Sequence, residues 1–362
     1  MSSLADPKIN WTELMLLVAA GFGLTVLFTR PLIGWLARHQ FGKAIRVDGP
    51  DHATKAGTPT MGGLGMLAAI GVVGAVLLAE IVPKQAFYTK LLDRESWEPI
   101  RIWLPLLSMA SFAVLGLLDD LAGLARKGRM RELGVGLTAR RMIALQTLIA
   151  VIVVWVVGRG MFAFGPIQMA LSVVALVGTV NAVNMSDGLD GLAAGLCFWA
   201  FCGLGVCAHL LNAICHGRPL DRYLSCLLAH GPNPDVALAF VIAGACLGFL
   251  VFNRYPAQVF MGNVASMALG GALATLAIMN YGLWLLPILG AVFLAEVVSD
   301  ILQVGYFKLT GGRRIFRMAP IHHHFELAGM PETEITARFR LAGLAAGLAA
   351  IALVVMLSTP IP

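Results

Sequence analysis

Hydrophobic positions in this chain gather into ten long apolar runs, near residues 14–36, 61–82, 102–118, 142–157, 167–183, 191–211, 236–252, 264–280, 283–304 and 341–358. A bilayer core of about 30 Å takes about 20 helical residues, so each run predicts a membrane-spanning helix. The shorter ones, such as 102–118, are expected to tilt or to extend into the flanking polar sequence. So little sequence separates the runs that one helical-bundle domain covering 1–362 is expected, without separable modules.

Composition agrees with this pattern. The chain is 58% hydrophobic and 13% charged, more apolar surface than a soluble protein of 362 residues could hide, which excludes that class. The fold class is therefore an all-α polytopic membrane protein. Charge adds an orientation. With the N-terminus outside, the inward loops near 38–60, 119–141, 184–190, 253–260 and 306–340 hold 17 of the 26 Lys and Arg residues. The positive-inside rule then puts both termini outside. The net charge of +6 is first a topology signal, and only secondarily an attraction for anionic head groups or nucleotides. Met1–Asn10 is polar and the first apolar run is long enough to be retained as a span, so no cleaved signal peptide is expected. The six cysteines contain no CxxC pair and read as packing thiols.

The chemistry lies in polar islands that interrupt the runs, all of them on the inward side. Uncompensated carboxylates at membrane depth cost about 2.5–3.5 kcal/mol each, which makes them functional candidates. Asp119 and Asp120 close the run that begins at Ile102. Neighbours on a helix point about 100° apart, so the pair can hold a divalent cation, or one can act as a base while the other orients it. A solvated helix end is the plain alternative. Asn181, Asn184, Asp187 and Asp190 recur every three residues, with Gly188 and Gly191 allowing close backbone approach; a polar turn is the alternative here. Lys55 to Gly63 supplies a lysine, two hydroxyls and glycines before a span, an arrangement suited to anions but not a Walker loop. His322, His323 and His324 stand in a basic loop with Arg313, Arg314 and Arg317, where phosphate binding or proton handling suits them better than zinc.

Five stretches together resemble the polyprenyl-phosphate N-acetylhexosamine-1-phosphate transferases. They are Lys55-Ala-Gly-Thr-Pro-Thr-Met-Gly-Gly63, Asp119-Asp120, Asn181 to Ala193, Tyr255-Pro-Ala-Gln-Val-Phe-Met-Gly262 and Ile315 to His324. The triple histidine after Met-Ala-Pro is similar to the muramoyl-pentapeptide branch. The resemblance implies about ten transmembrane helices in a bacterial cytoplasmic membrane, both termini periplasmic, and an active-site cleft on the cytoplasmic face. It implies a homodimer and no nucleic-acid partner. The implied partners are undecaprenyl phosphate, UDP-N-acetylmuramoyl-pentapeptide and the surrounding lipid. The reaction is attack of the lipid phosphate on the sugar-linked phosphorus, with release of UMP. Asp119 would be the base, beside Asp120; Thr60, Asn184, Asp187, Gly188, Leu189, Asp190, Asn253 and Phe260 would line the nucleotide pocket. Lys55 and His322–His324 would meet the phosphates and the peptide-sugar region. Mg2+ would be held by Asn181, Asn184 and position 263.

The chain departs from that pattern where the family has its main magnesium-binding Asp: here the residue is Asn263, followed by Val264-Ala265-Ser266. Gly123 stands where the family usually has Lys, and Arg126, Lys127 or Arg140 would replace that charge. Asp300, inside the ninth run, would restore negative charge near the site, or pair with a nearby arginine or helix end. An active transferase is expected; the alternatives are a silent scaffold that binds lipid phosphate or nucleotide, and a transferase for another UDP-N-acetylhexosamine.

Overall fold

The computed structural model describes residues 11–39, 41, 55, 57–92, 98–125, 137–161, 164–216, 234–280 and 282–358. The basic run Arg126–Arg131, the leading segment Met1–Asn10 and Cys226, on which expectations were placed above, lie outside these ranges, and the Cys215 side chain is not described either.

Nine of the ten apolar runs each fall on one helix, and the run 283–304 is broken into shorter helical segments. In chain order the helices are α1 (Trp11–Arg38), α2 (Gly63–Leu92), α3 (Glu98–Ala125), α4 (Ala139–Val156), α5 (Pro166–Met185), α6 (Leu192–His216), α7 (Pro234–Asn253), α8 (Asn263–Met279), the single turn α9 (Leu286–Leu289), α10 (Ala291–Leu309), α11 (Ile321–Leu327) and α12 (Glu332–Ser358). Among the described residues seven helices are long and apolar enough to cross a membrane. Segments Gly282–Leu289 and Ala291–Leu309 add an eighth if counted as one span bent by 75°. The apolar helices Gly63–Ala79 and Asn263–Met279 are shorter.

Helix α8 organises the bundle. It is apolar all round, and every residue from Val264 to Met279 is buried. A helix with no polar face must be surrounded by protein or lipid; here α3 and α5 supply most of its surroundings, with α2, α6 and the short turn Gly282–Trp284 adding to them. Small residues allow the close approach. A Cβ on Gly116 of α3 would lie 2.2 Å from the Asn263 carbonyl oxygen, so this crossing admits only glycine without displacement. Outside this centre, α1 packs on α7 and α12 on α6. At one end of the bundle Asn280 donates to Asp235, which also pairs with Arg101, tying α8, α7 and α3 together. The opposite ends of the same helices, at Asp119, Asn253 and Asn263, belong to the polar islands.

The histidine triplet is a correction to the sequence reading. It forms the helical turns of α11 rather than loop, started by Pro320. Gln303 on α10 holds the chain leading into it: its Oε1 accepts from the N–H groups of Ile315 (3.0 Å) and Phe316 (2.9 Å).

Candidate active site

The two adjacent carboxylates have different surroundings. Asp120 caps α8: Oδ1 accepts from the Asn263 N–H at 3.1 Å and Oδ2 from the Val264 N–H at 3.0 Å. The first N–H groups of a helix have no partner within it, and a carboxylate there also meets the positive end of the helix dipole. Gly262 makes the cap fit, since its φ is +81° and a Cβ would come within 2.8 Å of Asp120 Oδ2. Asp119 instead accepts from Asn263 Nδ2 at 2.8 Å through Oδ2. Its other oxygen has no partner among the described residues. Asn263 Oδ1 in turn accepts from Asn184 Nδ2 at 2.8 Å, and the same Asn184 nitrogen donates to Ser266 Oγ at 2.9 Å. A chain of hydrogen bonds thus runs from α3 through α8 to α5. An acceptor-only carboxylate at one end fixes which way the Asn263 amide faces.

This arrangement tests the expected metal. The oxygens of Asp120 are engaged in the cap, and among the described residues no group of three or more His, Cys, Asp or Glu is placed to hold an ion. What remains is one carboxylate oxygen of Asp119, the amide oxygen of Asn184 and the second lone pair of the Asn263 amide oxygen, which already accepts from Asn184. That set does not make a protein cage; it suits a divalent cation only where substrate phosphates and water complete the shell. Asn181 is drawn away from it. Its Nδ2 donates to Gln146 Oε1 (2.7 Å) and Val177 O (2.8 Å), and its Oδ1 accepts from Gln146 Nε2 (3.4 Å). An apolar cavity of about 710 Å³ lies between α2 and α3, lined by Leu67, Leu106 and Met109 among others, and reaches Val264 beside the Asp120 cap.

A second cluster joins four segments. Lys55 Nζ donates to Asp190 Oδ1 at 2.7 Å and to Glu332 Oε1 at 2.6 Å. Glu332 Oε1 also accepts from the Asp190 N–H, and Asp190 Oδ2 from the Ala257 N–H at 2.9 Å. Burial works against the Lys55 ammonium, yet the two carboxylates outweigh it and hold its pKa above the ordinary 10.5. Asn253 is buried and links loops: Oδ1 accepts from Gly191 N–H at 3.1 Å and Nδ2 donates to Val259 O at 3.0 Å. The backbones of Pro59 and Gly62 pair with Phe260, and buried Thr60 lies between them, its N–H on Phe41 O. Leu189 is buried beneath this loop, while Asp187 and Gly188 reach its surface.

The three histidines point three ways. His322 is fully buried, with Nδ1 3.0 Å from Oε2 of the equally buried Glu296 on α10. His323 Nδ1 lies 2.6 Å from Glu326 Oε2. His324 Nδ1 accepts from the Arg317 N–H at 3.1 Å, and its ring stands edge-on to Phe316 and Phe325. The structure thus gathers Asp119, Asn184 and Asn263 in one cluster, Lys55 and Asp190 in a second, and His322 under Gly188 in a third, all at one end of the bundle. Asp300 sits on α10, one turn beyond Glu296.

Sequence reasoning missed Glu332, Glu296, Gln146 and Ser266. A lone glutamate inside an apolar span was the available signal for Glu296. Glu332 opens an ordinary amphipathic helix start and offered none.

Comparison with known proteins places the chain in a family. Residues 102–281, from α3 to the end of α8, match the family described as glycosyl transferase family 4. The chain is similar to the phospho-N-acetylmuramoyl-pentapeptide-transferase of Heliobacterium modesticaldum, 38% identical across 98% of this chain and 99% of that one. It is 39% identical to the protein of the same name from Desulfotalea psychrophila, and 35% identical to that from Thermodesulfovibrio yellowstonii, each across 91% of this chain and 89% of the relative. Identity at this level from end to end means shared descent and a shared fold, and the chain belongs to the phospho-N-acetylmuramoyl-pentapeptide-transferase family.

Proposed function

We propose that this protein transfers phospho-N-acetylmuramoyl-pentapeptide from UDP-N-acetylmuramoyl-pentapeptide to undecaprenyl phosphate. The products are the lipid-linked pyrophosphoryl sugar-peptide (lipid I) and UMP, in the first membrane step of peptidoglycan synthesis. The observation that carries the reading is the full-length likeness to relatives named for that enzyme. The silent scaffold and the different-donor transferase are not favoured, because the relatives reported above all carry the name of this transferase. The protein resides in the bacterial cytoplasmic membrane. The reading takes the fold as ten spans, counting the bent pair once and including α2 and α8, with both termini outside and the clustered polar end in the cytoplasm, as a homodimer.

In the reaction an oxygen of the lipid phosphate forms a bond to the sugar-linked phosphorus. The phosphoanhydride bond to UMP breaks, and UMP leaves as an anion. One anhydride replaces another, so little net driving force is involved. Asp119 is the residue for the attacking phosphate, with its unpartnered oxygen able to accept a proton from a monoanionic lipid phosphate. Asp120 holds the start of α8 in place and so positions Asn263. The cavity that reaches Val264 is apolar space through which the lipid can approach these carboxylates. Asn184 and Asn263, with Asp119, would hold Mg2+, which when bound neutralises pyrophosphate charge and stabilises the leaving UMP. Lys55, clamped by two acids, sets the position of the Asp187–Asp190 loop.

The test is UMP release by purified protein given both substrates and Mg2+. Wild type is expected to turn over, and Asp119→Asn to lower kcat by about 10²–10⁴, the usual range for a general base. A fully active Asp119→Asn would remove that residue from the chemistry. Absence of UMP from the wild type would overturn the functional reading.

A further inference from the structure

The end of the bundle opposite the carboxylates holds a second cavity. It measures about 400 Å³ and is lined by Phe164, Gln168, Ser172, Ile278, Leu283 and Trp284. Sites for small molecules usually measure about 300–1,000 Å³. Gln168 and Ser172 stand one turn apart near the start of α5, and Ile278 is on the last turn of α8. Ser172 and Asn184 are 12 residues apart on α5, about 18 Å along a helix, so this cavity is distinct from the site at Asp119.

Ser172 is 1% exposed, and its Oγ has no hydrogen-bond partner. A hydroxyl inside a helix can return to the carbonyl four residues back. This chain does so at Ser111, Thr147 and Ser186, each at 2.8 Å. Ser172 makes no such bond and lines the cavity instead. Buried polar atoms are nearly always satisfied, so an orphan hydroxyl beside open space calls for an occupant. The neighbouring groups define the chemistry of that occupant. Gln168 and Trp284 add an amide and an indole N–H, so the polar lining is rich in donors and includes no carboxylate. Arg159 is exposed in the π-helical turn Val157–Met161, beside Gly158, against which the Phe164 ring packs. Phe164, Ile278 and Leu283 are apolar. An acceptor-rich ester or phosphodiester carried on an apolar chain suits this lining, and a cation does not.

We propose that this cavity binds the interfacial part of one glycerophospholipid, whose ester and phosphodiester oxygens accept from Gln168, Ser172 and Trp284. Depth favours this ligand. Trp284 is 42% exposed, and tryptophans gather where acyl chains meet head groups. On the topology taken above, the cavity belongs to the outer leaflet, across the membrane from the carboxylates. A lipid bound there joins the outer ends of α5 and α8, whose inner ends carry Asn184 and Asn263. The inference needs the protein to span a membrane and does not depend on the transferase reading.

Native mass spectrometry of delipidated protein titrated with dioleoyl phosphatidylglycerol counts the lipids retained and gives the Kd of each. Wild type is expected to hold one lipid more tightly than the rest. The double variant Gln168→Leu/Ser172→Ala removes two donors and is expected to weaken that first lipid tenfold or more. Ser172→Leu fills the cavity; it is expected to lose the tight lipid and to melt no lower than delipidated wild type. Added phosphatidylglycerol should then raise the melting temperature of wild type more than that of Ser172→Leu. The same count and Kd in wild type and Ser172→Leu would overturn the inference. So would inorganic phosphate alone stabilising wild type as much as the lipid does, which means a site for a free anion. Displacement of the tight phospholipid by an equal concentration of undecaprenyl phosphate would assign the cavity to the carrier lipid, and overturn it as well. Where a variant fails to fold, wild type crosslinked to a phosphatidylglycerol with a photoreactive group near its esters decides the matter. Label on residues 164–172 or 278–284 is expected, and label only elsewhere refutes the site.

Discussion

Replacing Asn263 by aspartate probes the departure at the heart of the site. In the wild type, Asn263 Nδ2 donates to Asp119 Oδ2 at 2.8 Å. In Asn263→Asp that donor becomes an oxygen, and two carboxylates face each other across the same gap. Two unit charges at that distance repel by about 6 kcal/mol at an effective dielectric of 20. Asp119 and Asn263 are each only part-buried, and the side chain can turn, so screening reduces this to about 2–3 kcal/mol. The lost hydrogen bond to a charged acceptor adds about 1.5–3 kcal/mol. A divalent cation between the two carboxylates reverses the sign. The expected outcome is that Asn263→Asp melts several degrees below wild type in chelator and gains much more from Mg2+ than the wild type does. Thermal unfolding of the detergent-solubilised protein, with Mg2+ and with chelator, reads both values. The reasoning fails if the variant matches wild type in chelator, or if the two proteins gain equally from Mg2+.

Two further substitutions examine the frame that holds the site. Gly116→Ala places a Cβ 2.2 Å from the Asn263 carbonyl oxygen, backbone that cannot swing aside. It is expected to cost about 1–3 kcal/mol by overpacking and to reduce turnover by moving α3 from α8; an unchanged melting temperature would show that the crossing yields. Lys55→Met leaves Asp190 and Glu332 facing each other, and breaking a buried pair of this kind costs about 3–5 kcal/mol, less here because Lys55 is partly solvated. Because the folded pKa of Lys55 is raised above 10.5, its stabilisation is fully present below that pH and is lost as pH rises through the folded value. The gap in melting temperature between wild type and Lys55→Met should therefore be constant at neutral pH and narrow in the alkaline range; a gap that persists above the folded pKa would refute the ion-pair account.

Long apolar runs made the helices legible, and bounds for α5 and α8 fall within a residue or two of the runs 167–183 and 264–280. Hydrophobicity carries no direction, however, so the run 283–304 reads as one straight span when the chain bends by 75° between Leu289 and Ala291. Pro287 and Gly290 were the local signals for that break. The polar islands were legible because Asp and Asn inside apolar sequence are conspicuous. Their partners were less so. The three-residue spacing puts Asn181 and Asn184 on neighbouring turns of one helix face, but only tertiary packing sends Asn181 to Gln146 on α4 and Asn184 to Asn263 on α8. The adjacent Asp119 and Asp120 look equivalent in sequence; the position of α8 makes one a helix cap and leaves the other open. Histidines after Pro320 read as loop because a triplet has no periodicity, although proline is well suited to precede a helix.

The full burial of α8 bears on how the protein is made. Its principal helical neighbours, α2, α3, α5 and α6, all precede it in the chain, so a ribosome that has delivered residues up to about 285, which adds the turn Gly282–Trp284, has supplied the main contacts of this helix. The later helices arrive on the outside of an assembled centre. They bring Glu296, His322 and Glu332 to Lys55, Asp190 and Gly188 only when α10 to α12 dock. Nascent chains therefore pass through a stage in which the bundle's centre is complete and the reactive end is not, and the protein becomes competent only with its last segments in place.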